Sequence, residues 1–219
     1  MTFKAVIFDL DGTLLDTLQD IVNTLNTVLS RHRYPEHTID ECRFLVGHGL
    51  KELVRKALPE NAATPETIDL VLADLVEVYN DNWNVHSRPY PGIPVLLDRL
   101  GELGVKTAIL SNKAHRFTLL CADTLLGKWK FDTVQGYRDD MEPKPDPGGA
   151  LRVAELLEEK PSGILYVGDS GIDMLTASRA GMYPLGVLWG FRPESELLAH
   201  GAKSLVKHPE EILGFFRPE

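Results

Sequence analysis

An apolar strand that runs into two aspartates is the feature that most constrains the fold of this chain. Residues 5–8 read Ala-Val-Ile-Phe, and Asp9, Asp11 and Gly12 follow them. A short run with no polar position is typical of a parallel strand that is covered on both faces. Since open α/β sheets bind ligands at the carboxyl ends of their strands, the two aspartates are predicted to lie in a functional site.

The spacing of Asp9 and Asp11 also predicts a cation nearby. Two neighbouring carboxylates repel each other, and a hard, oxygen-binding metal such as Mg2+ compensates their charge. Gly12 allows the backbone to turn after the strand. The alternative interpretation is a polar Asp-Gly turn with no chemical role.

The composition is that of an ordinary globular chain and argues against several classes of partner. The 219 residues are 43% hydrophobic and 25% charged, with a formal net charge of −9. Such an acidic chain is not expected to bind nucleic acid or an anionic membrane, so an anionic substrate needs a local positive site. No apolar run reaches the roughly 20 residues that span a bilayer, and no signal-peptide pattern is visible, so we expect a cytoplasmic protein. Cys42 and Cys121 lie outside any metal-binding pattern and are predicted to be buried thiols.

Two regions with different periodicities divide the chain. From residue 16 to about 85, apolar residues recur at helical spacing and no strand pattern is visible. After the proline-rich segment 88–92, helical patterns alternate with short apolar strands. The predicted strands cover residues 105–110, 133–136, 164–167, 185–188 and 204–206. The sequence therefore predicts a doubly wound, Rossmann-like α/β core with a parallel sheet, formed by residues 1–15 and 86–219, and an inserted all-helical domain at residues 16–85.

Three further polar clusters are predicted at the same edge of the sheet. Ser111 and Asn112 follow a strand and are expected to begin a helix, where a hydroxyl binds an anion or simply caps the helix. Lys144 lies in a loop whose prolines limit its direction, although an isolated loop lysine is usually solvated. Asp169 and Asp173 follow another strand at the start of a helix, and the helix dipole alone could account for them.

Together, the four clusters suit phosphoryl transfer. Mg2+ and a lysine neutralise the phosphoryl oxygens while a carboxylate attacks phosphorus. In type and order, the clusters resemble the four motifs of the haloacid dehalogenase superfamily of phosphatases. The matching residues are Asp9-Leu10-Asp11-Gly12-Thr13, Ser111, Lys144 and Gly168-Asp169 to Asp173.

The resemblance implies a role for each of these residues. Asp9 would be the nucleophile, and Asp11 would protonate the leaving alcohol and then activate the hydrolytic water. Mg2+ would be held by Asp9, Asp169 and the backbone carbonyl of Asp11. Asp173 would bind the metal through water or orient Lys144. The substrate-binding residues of the core would be Thr13, Ser111, Asn112 and Lys144.

The helical insertion resembles the small cap that one branch of the superfamily closes over its site to exclude water. Residues 43–50 and the segment Trp189-Gly190-Phe191 resemble the phosphoglycolate phosphatase branch. We therefore expect Arg43, Gly47 and His48 to bind the substrate, with Arg43 gripping a carboxylate. The alternatives are a solvated arginine on a helix surface and a histidine exposed in a glycine-flanked turn.

These features predict Mg2+-dependent hydrolysis of a small phosphate monoester through an aspartyl-phosphate, with a phosphoglycolate-like substrate. The expected partner is a small phosphorylated metabolite rather than a nucleic acid or a membrane. Two alternatives stay open, a phosphosugar mutase of the same superfamily and a noncatalytic binding protein on this scaffold. A dehalogenase is disfavoured because that reaction needs neither Asp11 nor the metal-binding acids.

Overall fold

The computed structural model describes residues 3–216, and the chain forms two compact units. The α/β unit comprises the residues up to Leu15 together with those from Pro89 onward, and the helical unit is Asp16–Arg88. The sequence pattern predicts the second boundary after residue 85, slightly earlier than this division. The role of the helical unit as a cap stays a prediction.

The secondary structure within residues 3–216 is as follows. The strands are β1 Ala5–Phe8, β2 Leu15–Asp16, β3 Arg88–Pro89, β4 Lys106–Ala114, β5 Thr133–Tyr137, β6 Ile164–Gly168, β7 Tyr183–Val187 and β8 Ser204–Val206. The α-helices are α1 Leu18–Arg31, α2 Ile39–Leu45, α3 Leu50–Ala57, α4 Pro65–Asn82, α5 Ile93–Glu102, α6 His115–Leu125, α7 Gly148–Leu156, α8 Gly171–Arg179 and α9 Glu194–Ala199. Short 3₁₀ segments cover Pro161–Gly163 and Pro209–Phe215. In this described part of the chain, no helix combines the length and the apolar character needed to cross a membrane.

Six of the strands form one parallel sheet in the order β5-β4-β1-β6-β7-β8. The chain builds one half of the sheet outward from β1, crosses back, and builds the other half outward from β6. The predicted doubly wound parallel α/β fold is thus confirmed. The direction of winding reverses between β1 and β6, and sheets of this kind bind ligands outside the carboxyl ends of the strands at that switch point.

Strand β1 lies near the centre of the sheet and is buried on both faces. All four of its residues have no exposed surface, which explains why its sequence carries no polar position. Strands β4 and β6 pair with it over its whole length. The pairing with β6 continues one step further, because the N–H of Asp9 donates to the carbonyl of Val167 at 2.9 Å. Asp9 therefore leaves β1 at the same level at which β6 ends.

Strand β4 is longer than the sequence pattern predicts. It continues to Ala114, and α6 begins only at His115, so the expected helix start at Ser111 and Asn112 was wrong. The apolar run of β4 ends at Leu110, but the polar side chains that follow are hydrogen-bonded. The Ser111 hydroxyl accepts from the Lys113 N–H, and the Asn112 amide donates to the Lys144 carbonyl on a neighbouring loop. These partners allow the extended backbone to continue where periodicity alone indicates a strand end.

Helix α2 was also missed, because it buries little apolar surface. Of its seven residues, only Cys42 is buried, so the sequence shows no repeat of apolar residues at helical spacing there. The helix instead begins with a capping box, in which the Thr38 side chain accepts from the N–H of Glu41 and the Glu41 carboxylate accepts from the N–H of Thr38. That Thr-x-x-Glu signal is visible in the sequence.

A buried carboxylate ties the first turn of α1 to the end of the helical unit. Asp20 is only 1% exposed. It accepts hydrogen bonds from the N–H groups of His86 and Ser87 at 2.9 and 2.8 Å, and from the Ser87 hydroxyl at 2.7 Å. The Ser87 hydroxyl also lies 3.0 Å from the Trp83 carbonyl, so the two N–H groups depend most on Asp20. Asp20 is therefore expected to stabilise the returning chain.

We predict that Asp20→Ala lowers the free energy of unfolding by about 2 kcal/mol, since it removes the acceptor of the His86 and Ser87 N–H groups. Urea denaturation followed by circular dichroism measures this loss. Asp69→Ala is the matched control in the same unit, because Asp69 pairs with Lys51 on the exposed surface. It should cost less than about 1 kcal/mol. Equal losses for the two variants would contradict the role given to Asp20.

Candidate active site

Three carboxylates meet at the switch point of the sheet. Asp9 follows β1, Asp169 follows β6, and Asp173 lies in the first turn of α8. One oxygen of each of the three lies within 4.8 Å of the others. The parallel sheet brings the first two together because β1 and β6 are hydrogen-bonded neighbours that end side by side.

Lys144 contacts two of these acids, Asp9 and Asp173. Its Nζ is 2.9 Å from Oδ1 of Asp9 and 2.7 Å from Oδ1 of Asp173, and it donates to the carbonyl of Leu110 at 3.2 Å. The residue is 6% exposed. The interpretation of Lys144 as a solvated loop lysine is therefore excluded.

Asn112 fixes the loop that carries Lys144. Its side-chain amide donates to the Lys144 carbonyl at 3.0 Å, and its side-chain oxygen accepts from the Lys144 N–H at 2.8 Å. Asn112 is expected from the sequence to bind the substrate. In the structure its side chain is engaged with the Lys144 backbone, so we assign it a positioning role for the lysine and leave direct substrate binding as a prediction.

Asp169 is oriented by residues from two different segments. Its Oδ1 accepts from the Thr13 hydroxyl at 3.1 Å, and its Oδ2 accepts from the N–H of Phe191 at 2.8 Å. Thr13 is completely buried, so its hydroxyl faces Asp169 and not the solvent. The Trp189 indole N–H donates to the Thr13 carbonyl at 3.0 Å. The segment that resembles the phosphoglycolate phosphatase branch thus holds Asp169 in place.

Gly12 is required by this arrangement. Its φ is +84°, a left-handed conformation that favours glycine, and a Cβ at this position would lie 2.3 Å from Oδ2 of Asp169. Any side chain there would displace the carboxylate. The Asp-Gly pair after β1 is therefore more than a turn, because it makes room for an acid from the neighbouring strand.

The electrostatics of the cluster leave an excess of negative charge. Burial raises the pKa of Asp9, and Lys144 opposes that rise. Burial also raises the pKa of Asp169, with the charges of Asp173 and Asp9 adding to the effect. Burial acts to lower the pKa of Lys144, but the carboxylates of Asp173 and Asp9 outweigh it and hold that pKa above its usual value. When all three carboxylates are ionised, the ammonium group of Lys144 balances one of their charges and leaves two.

A hard divalent cation fits this cluster. The donor atoms are all carboxylate oxygens, which Mg2+ prefers, and two positive charges would balance the excess. Asp173 is the member least available to a metal. Its Oδ1 contacts Lys144, while its Oδ2 accepts from the N–H and the hydroxyl of Ser170 at 3.1 and 2.6 Å. Of the two roles left open for Asp173, the geometry favours orienting Lys144.

Asp11 has a different partner from the other acids. Its two oxygens lie 3.1 and 3.2 Å from Nζ of Lys113, a residue that the sequence interpretation missed. A lysine near a strand end is normally solvated, so its identity alone carries no signal. Residues two apart in a strand share a face, so Lys113 shares the face of Ser111, but this relation is usable only once β4 is known to extend to Ala114.

The remaining predicted residues divide between the two units. Ser111 is buried in β4, and its hydroxyl accepts from the Lys113 N–H at 3.3 Å. Arg43 lies in α2, with Nε 3.5 Å from Oδ1 of Asp40. Gly47 and His48 form the turn before α3. Substrate binding by Arg43, Gly47 and His48 stays a prediction.

Comparison with known proteins places this chain in a family. Residues 6–187 match the family described as haloacid dehalogenase-like hydrolase. A phosphoglycolate phosphatase of Aquifex aeolicus is 33% identical over 192 residues, which is 86% of each chain. An N-acetylmuramic acid 6-phosphate phosphatase of Pseudomonas aeruginosa is 31% identical over 215 residues, covering 97% of this chain and 94% of that protein.

A solved structure extends the agreement to three dimensions. The crystal structure of a protein from Lactobacillus delbrueckii subsp. bulgaricus aligns over 100% of both chains with a TM-score of 0.93 and 29% identity. The chain belongs to the haloacid dehalogenase-like hydrolase family, and the resemblance drawn from its four motifs is confirmed. Its enzyme class within that family, phosphatase, is confirmed by the same relatives.

We predict that Mg2+ raises the Tm of the protein, because a ligand that binds only the folded state stabilises it. Asp169→Asn removes one carboxylate of the cluster and should abolish most of this rise. Differential scanning fluorimetry with MgCl2 at fixed ionic strength measures it. Asp123→Asn, an exposed aspartate on α6, is the control and should respond like the wild type. The same rise in all three proteins would place the cation elsewhere.

Proposed function

We propose that the protein hydrolyses small phosphate monoesters through a covalent aspartyl-phosphate on Asp9, with Mg2+ as cofactor. The observation that carries the proposal is the contact of Asp9 with Lys144 at 2.9 Å beside Asp169. The Asp9 side chain is 13% exposed to solvent, whereas the Asp173 side chain is completely buried. Asp9 is thus the more accessible of the two carboxylates that contact Lys144, which supports its role as nucleophile.

The reaction has two steps. In the first, a carboxylate oxygen of Asp9 attacks phosphorus, the P–O bond to the alcohol breaks, and Asp11 gives its proton to the leaving oxygen. In the second, Asp11 takes a proton from a water molecule as that water attacks phosphorus, which releases inorganic phosphate and restores the Asp9 carboxylate. Only the two steps together restore the starting state, in which Asp9 is a free carboxylate and Asp11 carries its proton.

Several groups would stabilise the transferring phosphoryl group. Lys144 and Ser111 would bind its oxygens, with Lys144 held by Asn112 and Asp173. Mg2+ would be held by Asp9, Asp169 and the Asp11 backbone carbonyl. When bound, the cation neutralises charge on the phosphoryl oxygens and on the carboxylates.

The favoured substrate is a phosphoglycolate-like monoester that carries a carboxylate. The similarity to the Aquifex aeolicus phosphoglycolate phosphatase supports this choice. A phosphosugar is the second candidate, because the relative that acts on N-acetylmuramic acid 6-phosphate covers nearly the whole chain. Comparing kcat/KM for these two esters without any bisphosphate activator separates the candidates. Turnover that required a bisphosphate would instead indicate the mutase alternative.

We predict that Asp9→Asn abolishes Mg2+-dependent phosphate release from phosphoglycolate, because an amide cannot act as the nucleophile. EDTA should silence the wild-type enzyme, and added Mg2+ should restore it. A phosphate-release assay measures both effects, with Asp123→Asn as the folded control. Near-wild-type activity of Asp9→Asn would contradict the covalent mechanism.

We predict that Arg43→Ala lowers kcat/KM for phosphoglycolate at least about tenfold more than for 4-nitrophenyl phosphate. Only phosphoglycolate carries a carboxylate whose charge would be left without a partner. Arg55→Ala is the matched control, because Arg55 pairs with Glu52 on the surface of the same unit. Equal losses on the two esters would mean that Arg43 does not read the substrate.

The other parts of the sequence-based function stay predictions. A small phosphorylated metabolite as partner fits the phosphatase class of the relatives. The cytoplasmic location and the lack of interaction with nucleic acid and membranes are expectations from the sequence.

A further inference from the structure

A second buried lysine, Lys113, contacts Asp11, and the proposed two-step reaction gives it no role. The side chain of Lys113 is only 4% exposed, and that of Asp11 is 13% exposed. Nζ of Lys113 lies 3.1 and 3.2 Å from the two Asp11 oxygens, so the ammonium contacts both of them. A buried ammonium group is costly unless it is paired, and this contact makes the burial of Lys113 tolerable.

The backbone that carries Lys113 is fixed at both ends of the residue. Its N–H donates to the Ser111 hydroxyl at 3.3 Å, and its carbonyl accepts from the Thr118 hydroxyl at 3.0 Å. Gly136 of the neighbouring strand lies so close that a Cβ there would be 2.6 Å from the Lys113 carbonyl. These contacts fix the backbone of β4 from which the Lys113 side chain reaches Asp11.

The two lysines divide the acids of the site between them. Lys144 contacts Asp9, the proposed nucleophile, and Asp173, which orients Lys144. Lys113 contacts Asp11. Different lysines thus contact the attacking carboxylate and the proton-transferring carboxylate, although the two aspartates are only two positions apart in the chain. Each carboxylate is thereby held toward its own task.

We propose that Lys113 is a positioning residue for Asp11, which holds the side chain that transfers the proton to the leaving alcohol. The inference rests on the proposed function. Its distinguishing consequence is selectivity between leaving groups. An alkoxide is a poor leaving group and needs the proton from Asp11, whereas nitrophenolate leaves readily without it. Loss of Lys113 should therefore slow only those esters that need the proton.

A matched pair of esters tests this directly. We compare kcat/KM for 4-nitrobenzyl phosphate and 4-nitrophenyl phosphate, since this parameter reports the steps up to the first irreversible transfer. Lys113→Met should lower kcat/KM at least about tenfold for the benzyl ester and less than about threefold for the phenyl ester. Lys113→Arg keeps the charge and should recover most of the loss. Lys106→Met is the control on the same strand, because Lys106 pairs with Glu159 away from the acids.

A double-mutant cycle distinguishes positioning of Asp11 from other roles. In an Asp11→Asn background, Lys113→Met should change kcat/KM for the benzyl ester by less than about twofold, because the group it positions is already gone. Full additivity of the two substitutions overturns the inference. So does an equal loss on both esters with a raised KM, which would make Lys113 a phosphate-binding residue.

The proposed function and this inference fail in different ways. A wild-type protein that hydrolyses neither ester contradicts the phosphatase mechanism itself. A wild-type protein that hydrolyses both, with variants that lose activity equally on both, contradicts only the role of Lys113. Thermal melting of each variant shows that it is folded. If Lys113→Met does not fold, Lys113→Gln replaces it with the same expected ratio between the two esters.

Discussion

The burial of three carboxylates in one cluster, two of which contact a buried lysine, is the constraint on which the rest of this structure depends. Asp9, Asp169 and Asp173 converge at the switch point of a parallel sheet, and Lys144 balances only one of their charges. Such a cluster is costly in a folded protein unless a cation or a substrate completes it. Nearby features serve to hold it. Gly12 leaves space for Asp169, and neighbouring backbone and side-chain groups satisfy the remaining oxygens.

The same arrangement suits the phosphoryl transfer that we propose. The carboxylates face different tasks because their neighbours differ. Asp173 is completely buried and contacts Lys144, Asp169 accepts from Thr13 and Phe191, and Asp9 is partly exposed. Asp11 stands apart with its own lysine. A buried, preoriented set of charges of this kind stabilises charge that develops on a phosphoryl group without having to reorganise.

The sequence predicts the frame of this protein better than the contacts within its site. Apolar runs and their alternation with helices predict the sheet, because burial on both faces leaves a simple pattern. The position of Asp9 follows from that pattern alone. Lys113 and the extension of β4 do not, because their polar side chains find buried partners only after distant segments have come together. Thr13 shows the same limit, since its hydroxyl faces Asp169 across 156 positions of sequence.

The central claim is that Asp9 carries the phosphoryl group during turnover. The most direct measurement quenches the reaction in acid during turnover, reduces the protein with borohydride and sequences it by mass spectrometry. Borohydride reduces an aspartyl-phosphate to homoserine. The account predicts homoserine at position 9, formed only when Mg2+ and a phosphate ester are both present. Turnover that leaves position 9 as aspartate, or homoserine at another aspartate, would contradict it.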